Sequence, residues 1–182
     1  MNFTLMSVLI LLTVVGSAPQ HGRQWRPATV RGITVGKSRL GEMLRAWGKP
    51  KWSRSSKQAT EEESQQVTWT NYERAGEFPG STTVVSDTRT GVITRINFYP
   101  DRLTKDQAIA HFGSAYVITR YAFDSCLNEE DDERIYESPT GPLVIVEYRA
   151  RGIAIYLGYK GLVTRISYLR GPIGSAKSKC GQ

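Results

Sequence analysis

The stretch that decides the fold of this 182-residue chain occurs twice, as Gly91-Val92-Ile93-Thr94-Arg95-Ile96-Asn97-Phe98-Tyr99 and as Gly161-Leu162-Val163-Thr164-Arg165-Ile166-Ser167-Tyr168-Leu169. Both copies are rich in β-branched and aromatic residues, and both begin with a glycine that suits a hairpin turn. Each copy therefore predicts the last strand of an antiparallel hairpin. Because strands share a small set of residue types, two similar strands are by themselves a weak sign of a repeat.

Two further signals occur in the same order in both halves of the chain. A short amphipathic helix that ends at glycine is predicted from Ser38 to Gly48, with Ser38 as its N-cap, and again from Thr104 to Gly113, where Thr104 and Gln107 form a capping box. A tyrosine followed four residues later by glycine occurs at Tyr72 and again at Tyr148. Three matches in one order indicate that the chain contains two copies of one unit.

Alternating apolar residues predict three strands in each half. They run from Val67 to Tyr72, Thr82 to Ser86 and Val92 to Tyr99, and from Leu143 to Tyr148, Ile153 to Leu157 and Leu162 to Leu169. Tyr116 to Phe123 is either a further strand or a helix, and the polar stretch from Lys51 to Gln66 predicts a long mobile loop. Short helices are marginal alone in water and need an apolar surface. The predicted fold class is therefore α+β, with two tandem units that each pack a short helical layer on an antiparallel β-sheet.

This organisation divides the chain into a signal peptide over residues 1–18, a flexible lead over 19–31, a first unit over 32–100, a second unit over 101–171 and a tail over 172–182. The signal peptide is predicted from the uncharged apolar run that ends at Val15 and the small residues that follow it, Gly16-Ser17-Ala18. The run is shorter than a membrane-spanning helix requires. We expect an exported protein, periplasmic or secreted; a buried or anchoring N-terminal helix is the alternative.

The chain is basic, with 24 Lys and Arg against 17 Asp and Glu and a formal net charge of +7. Such a surface suits an acidic protein partner or an anionic envelope component, and the scattered placement of the charges argues against nucleic acid. The two cysteines, Cys126 and Cys180, are candidates for one disulfide in an exported protein. Two free thiols, or a bridge to another chain, are the alternatives.

The segment Thr34-Val35-Gly36-Lys37-Ser38, the helix after it and Trp47-Gly48-Lys49-Pro50 resemble the opening of the small outer-membrane-assembly lipoproteins of the SmpA/OmlA type. The duplicated arrangement resembles the β-lactamase-inhibitor-protein-like fold, in which two such units lie in tandem. The resemblance implies a concave binding surface formed by the open faces of two sheets. This chain lacks the lipidated cysteine of the lipoproteins and a disulfide in its first unit, so the resemblance implies the fold and not inhibition of a β-lactamase.

Residues that could support catalysis or hold a metal are few. His21 and His111 are predicted to lie apart, with His111 solvated near the end of its helix, and they lack the cysteine spacing of a zinc site. The acidic run from Glu129 to Glu133 lacks the spaced ligands and turning glycine of a calcium loop. No phosphate-binding glycine loop is present in the sequence. We therefore predict a non-catalytic protein that needs no cofactor and no metal.

The candidate binding residues come from alternation along the last strand of each half. One side of these strands is expected to face the helices: Val92, Thr94, Ile96 and Phe98, with Leu162, Thr164, Ile166 and Tyr168. The other side, together with a neighbouring strand, carries the candidate binding residues: Arg95, Asn97, Tyr99, Tyr156, Arg165 and Ser167. Arginine and tyrosine suit interfaces because both combine a large contact area with directional hydrogen bonds.

The tryptophans and the charge lead to two functional hypotheses. Trp47 is assigned to the core, Trp69 is ambiguous, and Trp52 beside a polar loop is a contact candidate if it is exposed. The first hypothesis is an exported protein-binding module that uses the open sheet faces, in the manner of an inhibitor or an envelope-assembly protein. The alternative is an envelope-structural protein held to anionic lipid or cell-wall polymer by its basic surface.

Overall fold

The computed structural model of the protein describes residues 27–59, 64–121, 143–171 and 173. Within these residues the chain forms two α-helices, α1 (Leu40–Trp47) and α2 (Lys105–Phe112). The strands are β1 (Thr29–Val30), β2 (Ile33–Thr34), β3 (Trp52–Ala59), β4 (Ser64–Glu73), β5 (Gly80–Asp87), β6 (Ile93–Pro100), β7 (Val117–Tyr121), β8 (Leu143–Tyr148), β9 (Ile153–Leu157) and β10 (Val163–Leu169).

Eight of the strands form one antiparallel sheet in the order β3-β4-β5-β6-β10-β9-β8-β7, while β1 and β2 pair separately. β3 to β6 and β7 to β10 are two meanders, and the pairing of β6 with β10 joins them. The predicted fold class, two tandem helix-on-sheet units, is therefore wrong: the protein is mostly β, and one eight-stranded sheet runs through both halves beside the small β1–β2 sheet. Joining the last strands satisfies backbone groups that each meander would otherwise leave at a free edge.

The pairing of β6 with β10, which we call the seam, is centred on one polar pair. Asn97 of β6 lies directly opposite Ser167 of β10, and these residues occupy the same position in the two copies of the quoted stretch. Ser167 Oγ donates a hydrogen bond to Asn97 Oδ1 over 2.9 Å. The two residues are only 2% and 4% exposed, so this contact is shielded from water.

The two helices begin in different ways. The predicted capping box of α2 is confirmed, because Thr104 Oγ1 accepts from the backbone N–H of Gln107 and the Gln107 side chain accepts from that of Thr104. At α1 the N-cap is Arg39 and not the predicted Ser38. The Ser38 hydroxyl instead accepts from the backbone N–H of Thr34, and so fastens the turn before the helix.

The repeated tyrosines connect the sheet to the end of each helix. Tyr72 Oη donates to the carbonyl oxygen of Gly48 over 3.2 Å, and Tyr148 Oη donates to that of Gly113 over 2.7 Å. Both tyrosines are buried and both glycines follow the last residue of a helix. Each tyrosine therefore satisfies a helix-end carbonyl that has no partner within the helix.

One hydrophobic core lies between the helices and the sheet. It contains Met43, Ala108 and Phe112 from the helices, with Tyr72, Val84, Ile93, Ile96, Phe98, Val146, Tyr148, Ile153, Ile155, Val163, Ile166 and Tyr168 from the sheet. The small β1–β2 sheet adds Val30 and Ile33. The packed structure thus begins before Arg31, inside the segment that the sequence indicated as a flexible lead.

The face assignment of Val92 and Leu162 is wrong, because each last strand contains a β-bulge. Ile93 and Val163 lie in the core, whereas Leu162 is 47% exposed. The register shifts at Thr94 and at Thr164. An extra residue in a strand reverses the alternation on one side of it. At both bulges the threonine hydroxyl donates to a carbonyl of the neighbouring strand over 3.2 Å.

The polar stretch predicted as a mobile loop contains β3 and the beginning of β4. β3 is at the edge of the sheet, and its described side chains, Trp52 to Ser56, are all exposed. An edge strand can be polar on both sides, so it lacks the apolar alternation on which the sequence-based assignment depended. The segment from Tyr116 onward, left open as strand or helix, forms β7 at the other edge.

Several predictions concern residues outside the described ones: the signal peptide, His21, the acidic run from Glu129 to Glu133, and the pair Cys126 and Cys180. In the part of the chain that the structure describes, neither helix is long and apolar enough to cross a membrane. Over the same ranges, histidines and carboxylates form no group of three or more that could hold a metal ion.

Candidate functional site

The six candidate binding residues lie on one face of the sheet, the face directed away from α1 and α2, which we call the open face. Asn97 pairs with Ser167, and Arg165 pairs with Tyr156 on β9. Arg95 and Tyr99 are each two residues from Asn97 on β6, so they point to the same side. The side that holds the core residues of β6, Ile96 and Phe98, is the opposite one.

The two arginines are held in similar ways. The guanidinium carbon of Arg165 lies 3.8 Å from the ring centre of Tyr156, on the neighbouring strand. That of Arg95 lies 5.8 Å from the ring centre of Trp69, two strands away across Val85. Both contacts are within the range of a cation–π interaction. Each arginine therefore reaches away from the seam and rests on an aromatic ring.

Neither arginine has a polar partner among the described residues. The Nε atoms of Arg95 and Arg165 are buried without a hydrogen-bond acceptor. No carboxylate of the described ranges lies within ion-pair distance of either guanidinium group. A desolvated donor without an acceptor is unfavourable, and a guanidinium group is matched best by a carboxylate or a phosphate. The open face thus presents two guanidinium groups that have no hydrogen-bond acceptor among the described residues.

The carboxylates on the open face already have partners of their own. Glu73, near the edge, forms an ion pair with Lys51. Glu147 is 2% exposed and accepts from Nε of Arg149 over 2.8 Å. Asp87, at the end of β5, accepts from the backbone and the hydroxyl of Thr90. The positive charge of Arg95 and Arg165 is therefore not neutralised by these neighbours.

The six residues differ in accessibility. Asn97 and Ser167 are buried against each other, which makes them part of the seam and not a contact surface. Tyr99 is 38% exposed, and the side chains of Arg95, Tyr156 and Arg165 are partly exposed. A ligand on this face would therefore meet the two arginines and the two tyrosines, and it would lie over the Asn97–Ser167 pair.

Sequence reasoning missed two members of this surface. Trp69, ambiguous in the sequence, supports Arg95, and its indole N–H donates to Ser56 Oγ over 3.0 Å. Arg54 lies on the edge strand that was predicted as a loop, with its guanidinium carbon 5.3 Å from the ring centre of the exposed Trp52. The sequence signal for Arg54 is the alternation Trp52-Ser53-Arg54-Ser55-Ser56. It places Trp52 and Arg54 on one face only if the segment is already known to be a strand.

The assignments of Trp47 and His111 are refined by the structure. Trp47 packs partly buried against the core, with its ring edge-on to Tyr72. His111 was expected to be solvated near the end of its helix; it is half-exposed, and its Nε2 lies 2.9 Å from Oε2 of Glu77. Tyr168 donates to the same carboxylate oxygen over 3.2 Å. Burial and the adjacent Glu77 raise the pKa of Tyr168 well above its usual range.

The cluster of Glu77, His111 and Tyr168 joins the two halves of the chain, on the side of the sheet opposite the arginines. Glu77 precedes β5, whereas His111 and Tyr168 belong to α2 and β10. Phe78 packs edge-on against the imidazole, with a distance of 4.9 Å between ring centres. These contacts tie the loop before β5 to the second half.

Comparison with protein-family models, with curated proteins and with solved structures gives no match to this chain. The likeness to the assembly lipoproteins and to the inhibitor fold therefore stays a prediction from the motifs quoted above. The open face and its two arginines are the features from which a function can be argued.

Proposed function

We propose that this protein is an exported, non-catalytic protein-binding module, and that its partner binds the open face of the eight-stranded sheet. Arg95, Tyr99, Tyr156 and Arg165 are the contact residues in this proposal. Partners with an acidic surface are favoured, because the chain carries a net charge of +7 and both arginines lack a carboxylate. Arginine and tyrosine are also the residue types that contribute most to protein interfaces.

The observation that carries the proposal is that the guanidinium groups of Arg95 and Arg165 have no hydrogen-bond acceptor among the described residues, and that the Nε atom of each is buried. A residue kept only for stability would be expected to have a paired guanidinium group, since an unpaired buried donor is unfavourable. The terminal nitrogens of both groups also have no acceptor among the described residues, and a bound carboxylate would provide one to each guanidinium group. The aromatic rings beneath the guanidinium groups already restrict their motion, which lowers the entropy lost on binding.

The test compares binding and stability in the same variants. The partner is first captured from an extract of exported proteins in moderate salt, identified, and its dissociation constant measured. Arg95→Ala and Arg165→Ala should each weaken this complex about tenfold or more while changing the unfolding free energy by less than about 0.5 kcal/mol. Arg45→Ala is the control, because Arg45 is an exposed arginine on α1.

Two results would contradict the proposal. Equal loss of binding and of thermal stability in the Arg95 and Arg165 variants would show that these residues are structural. Unchanged affinity in both would show that the partner binds elsewhere. An envelope-structural role, in which the basic surface holds the protein to anionic lipid or cell-wall polymer, predicts release from envelope fractions by moderate salt, because surface charge attraction is screened.

A further inference from the structure

We infer that the ligand of the open face is an extended acidic segment of a protein, with two carboxylates placed four to six residues apart. This inference rests on the proposed function and makes it more specific. It follows from three properties of Arg95 and Arg165: their lack of acceptors, their separation across the seam, and the apolar side chains around them.

The first property selects the ligand chemistry. Both guanidinium groups lie over an aromatic ring, and both have an unsatisfied Nε. The Nε atoms are buried, so the donors that a ligand can reach are the two terminal nitrogens of each guanidinium group, which have no acceptor among the described residues. Side by side, these nitrogens match one carboxylate through two hydrogen bonds. A neutral ligand would satisfy such groups less well. Each arginine is therefore suited to one carboxylate of the ligand.

The second property sets the spacing of the carboxylates. Ile166 lies opposite Phe98, so the next residue, Arg165, is opposite Tyr99 and four residues along the strand from the level of Arg95. Four residues and one interstrand step separate the two Cα atoms by about 14 Å. Both side chains lean away from the seam, which increases the distance between their guanidinium groups. An extended chain covers about 13 Å in four residues and about 20 Å in six.

The third property favours a polypeptide over an anionic polymer. Between and beside the arginines the open face carries Tyr99, Tyr156 and Leu169, which are partly or largely accessible. The side chains of a peptide can pack on these residues, whereas polyphosphate offers no apolar group to do so. The Asn97–Ser167 pair between the arginines is already satisfied, so the middle of the ligand requires no charge.

The experiment uses the whole protein and labelled ten-residue peptides of equal charge. Each peptide contains serine, threonine and valine with two glutamates that are two, four or six positions apart. Fluorescence anisotropy should show that the peptides with spacings of four or six bind about tenfold or more tightly than the peptide with a spacing of two, because only they engage both arginines. Arg95→Gln and Arg165→Gln should each abolish this preference, and Arg45→Gln should retain it.

A second pair of variants separates charge from geometry. Arg95→Lys and Arg165→Lys keep the positive charge but lose the guanidinium fork, so the spacing preference should shrink while the salt dependence remains. If a glutamine variant does not fold, the lysine variant at the same position provides the test. Circular dichroism and thermal melting establish folding in every case.

Three outcomes would overturn the inference. Equal affinity at all spacings would show that the ligand does not contact both arginines at once. The proposed function would then be tested only by the captured partner and its arginine variants. A spacing preference that persists in both glutamine variants would place the carboxylates elsewhere. Tighter, arginine-dependent binding of polyphosphate at matched charge would show that the ligand is an anionic polymer.

Discussion

The replacement of Ser167 by alanine tests the seam that makes two meanders into one sheet. The Ser167 hydroxyl donates to Asn97 Oδ1 over 2.9 Å, and both residues are almost fully buried. Alanine removes the hydroxyl donor and leaves the buried amide oxygen of Asn97 without this hydrogen bond. The free energy of unfolding should fall by about 1–3 kcal/mol. For a chain of this size the melting temperature should fall by about 3–10 °C.

The assay is urea unfolding followed by circular dichroism, with a double-mutant cycle formed by Ser167→Ala, Asn97→Ala and both together. A coupling energy of about 1 kcal/mol or more is expected, because the residues contact each other. Ser55→Ala is the matched control: its hydroxyl lies 3.0 Å from Thr68 Oγ1, but this contact is exposed on the edge strand and Thr68 keeps a second partner in Thr88. The control should lose less than about 0.5 kcal/mol. Additive losses in the cycle would refute the reasoning.

Three further predictions concern the core side of the sheet and helix α1. Burial and the adjacent Glu77 carboxylate raise the pKa of Tyr168 above its ordinary value of 10.0, so above pH 10 the unfolded chain loses a proton that the folded chain keeps. Because of this group, the free energy of unfolding should then fall by about 1.4 kcal/mol per pH unit. Urea unfolding between pH 9 and 11 should show a smaller fall in the Tyr168→Phe variant. A fall of the same size in the variant would exclude Tyr168 as its cause. Gly76→Ala would place a Cβ 1.8 Å from Cε2 of Phe98 and should cost about 1–3 kcal/mol by overpacking. Gly41→Ala, on an open side of α1 with nothing nearer than 3.9 Å, should instead stabilise the protein by about 0.5–1 kcal/mol; calorimetry that ranks the two the other way would contradict this account.

The candidate site was partly predictable from the sequence. Alternation placed Arg95, Tyr99 and Arg165 on the side away from the helices, because two of these residues share a strand and the third lies in its repeat. It could not indicate that Asn97 and Ser167 would bury each other, since that depends on β6 meeting β10 in one particular register. Trp69 and Arg54 were missed for a related reason: their contacts lie across strands whose order the sequence does not specify.

What the sequence by itself determined are the features whose causes are local. The capping box at Thr104, the glycine that ends each helix and most strand positions all depend on residues within a few places of one another along the chain. The repeated Tyr-x-x-x-Gly signal also proved informative, because Tyr72 and Tyr148 make the same hydrogen bond to a helix end.

The tertiary structure alone decided the joining of the two meanders, the bulges at Thr94 and Thr164, and the existence of the edge strand β3. The backbone hydrogen bonds that join β6 to β10 are made between segments that are distant in the chain, and any two strands of suitable length can form them. Which strands pair, and in what register, is therefore set by the packing of the whole core. In this protein that choice brings Arg95 and Arg165 together on one face.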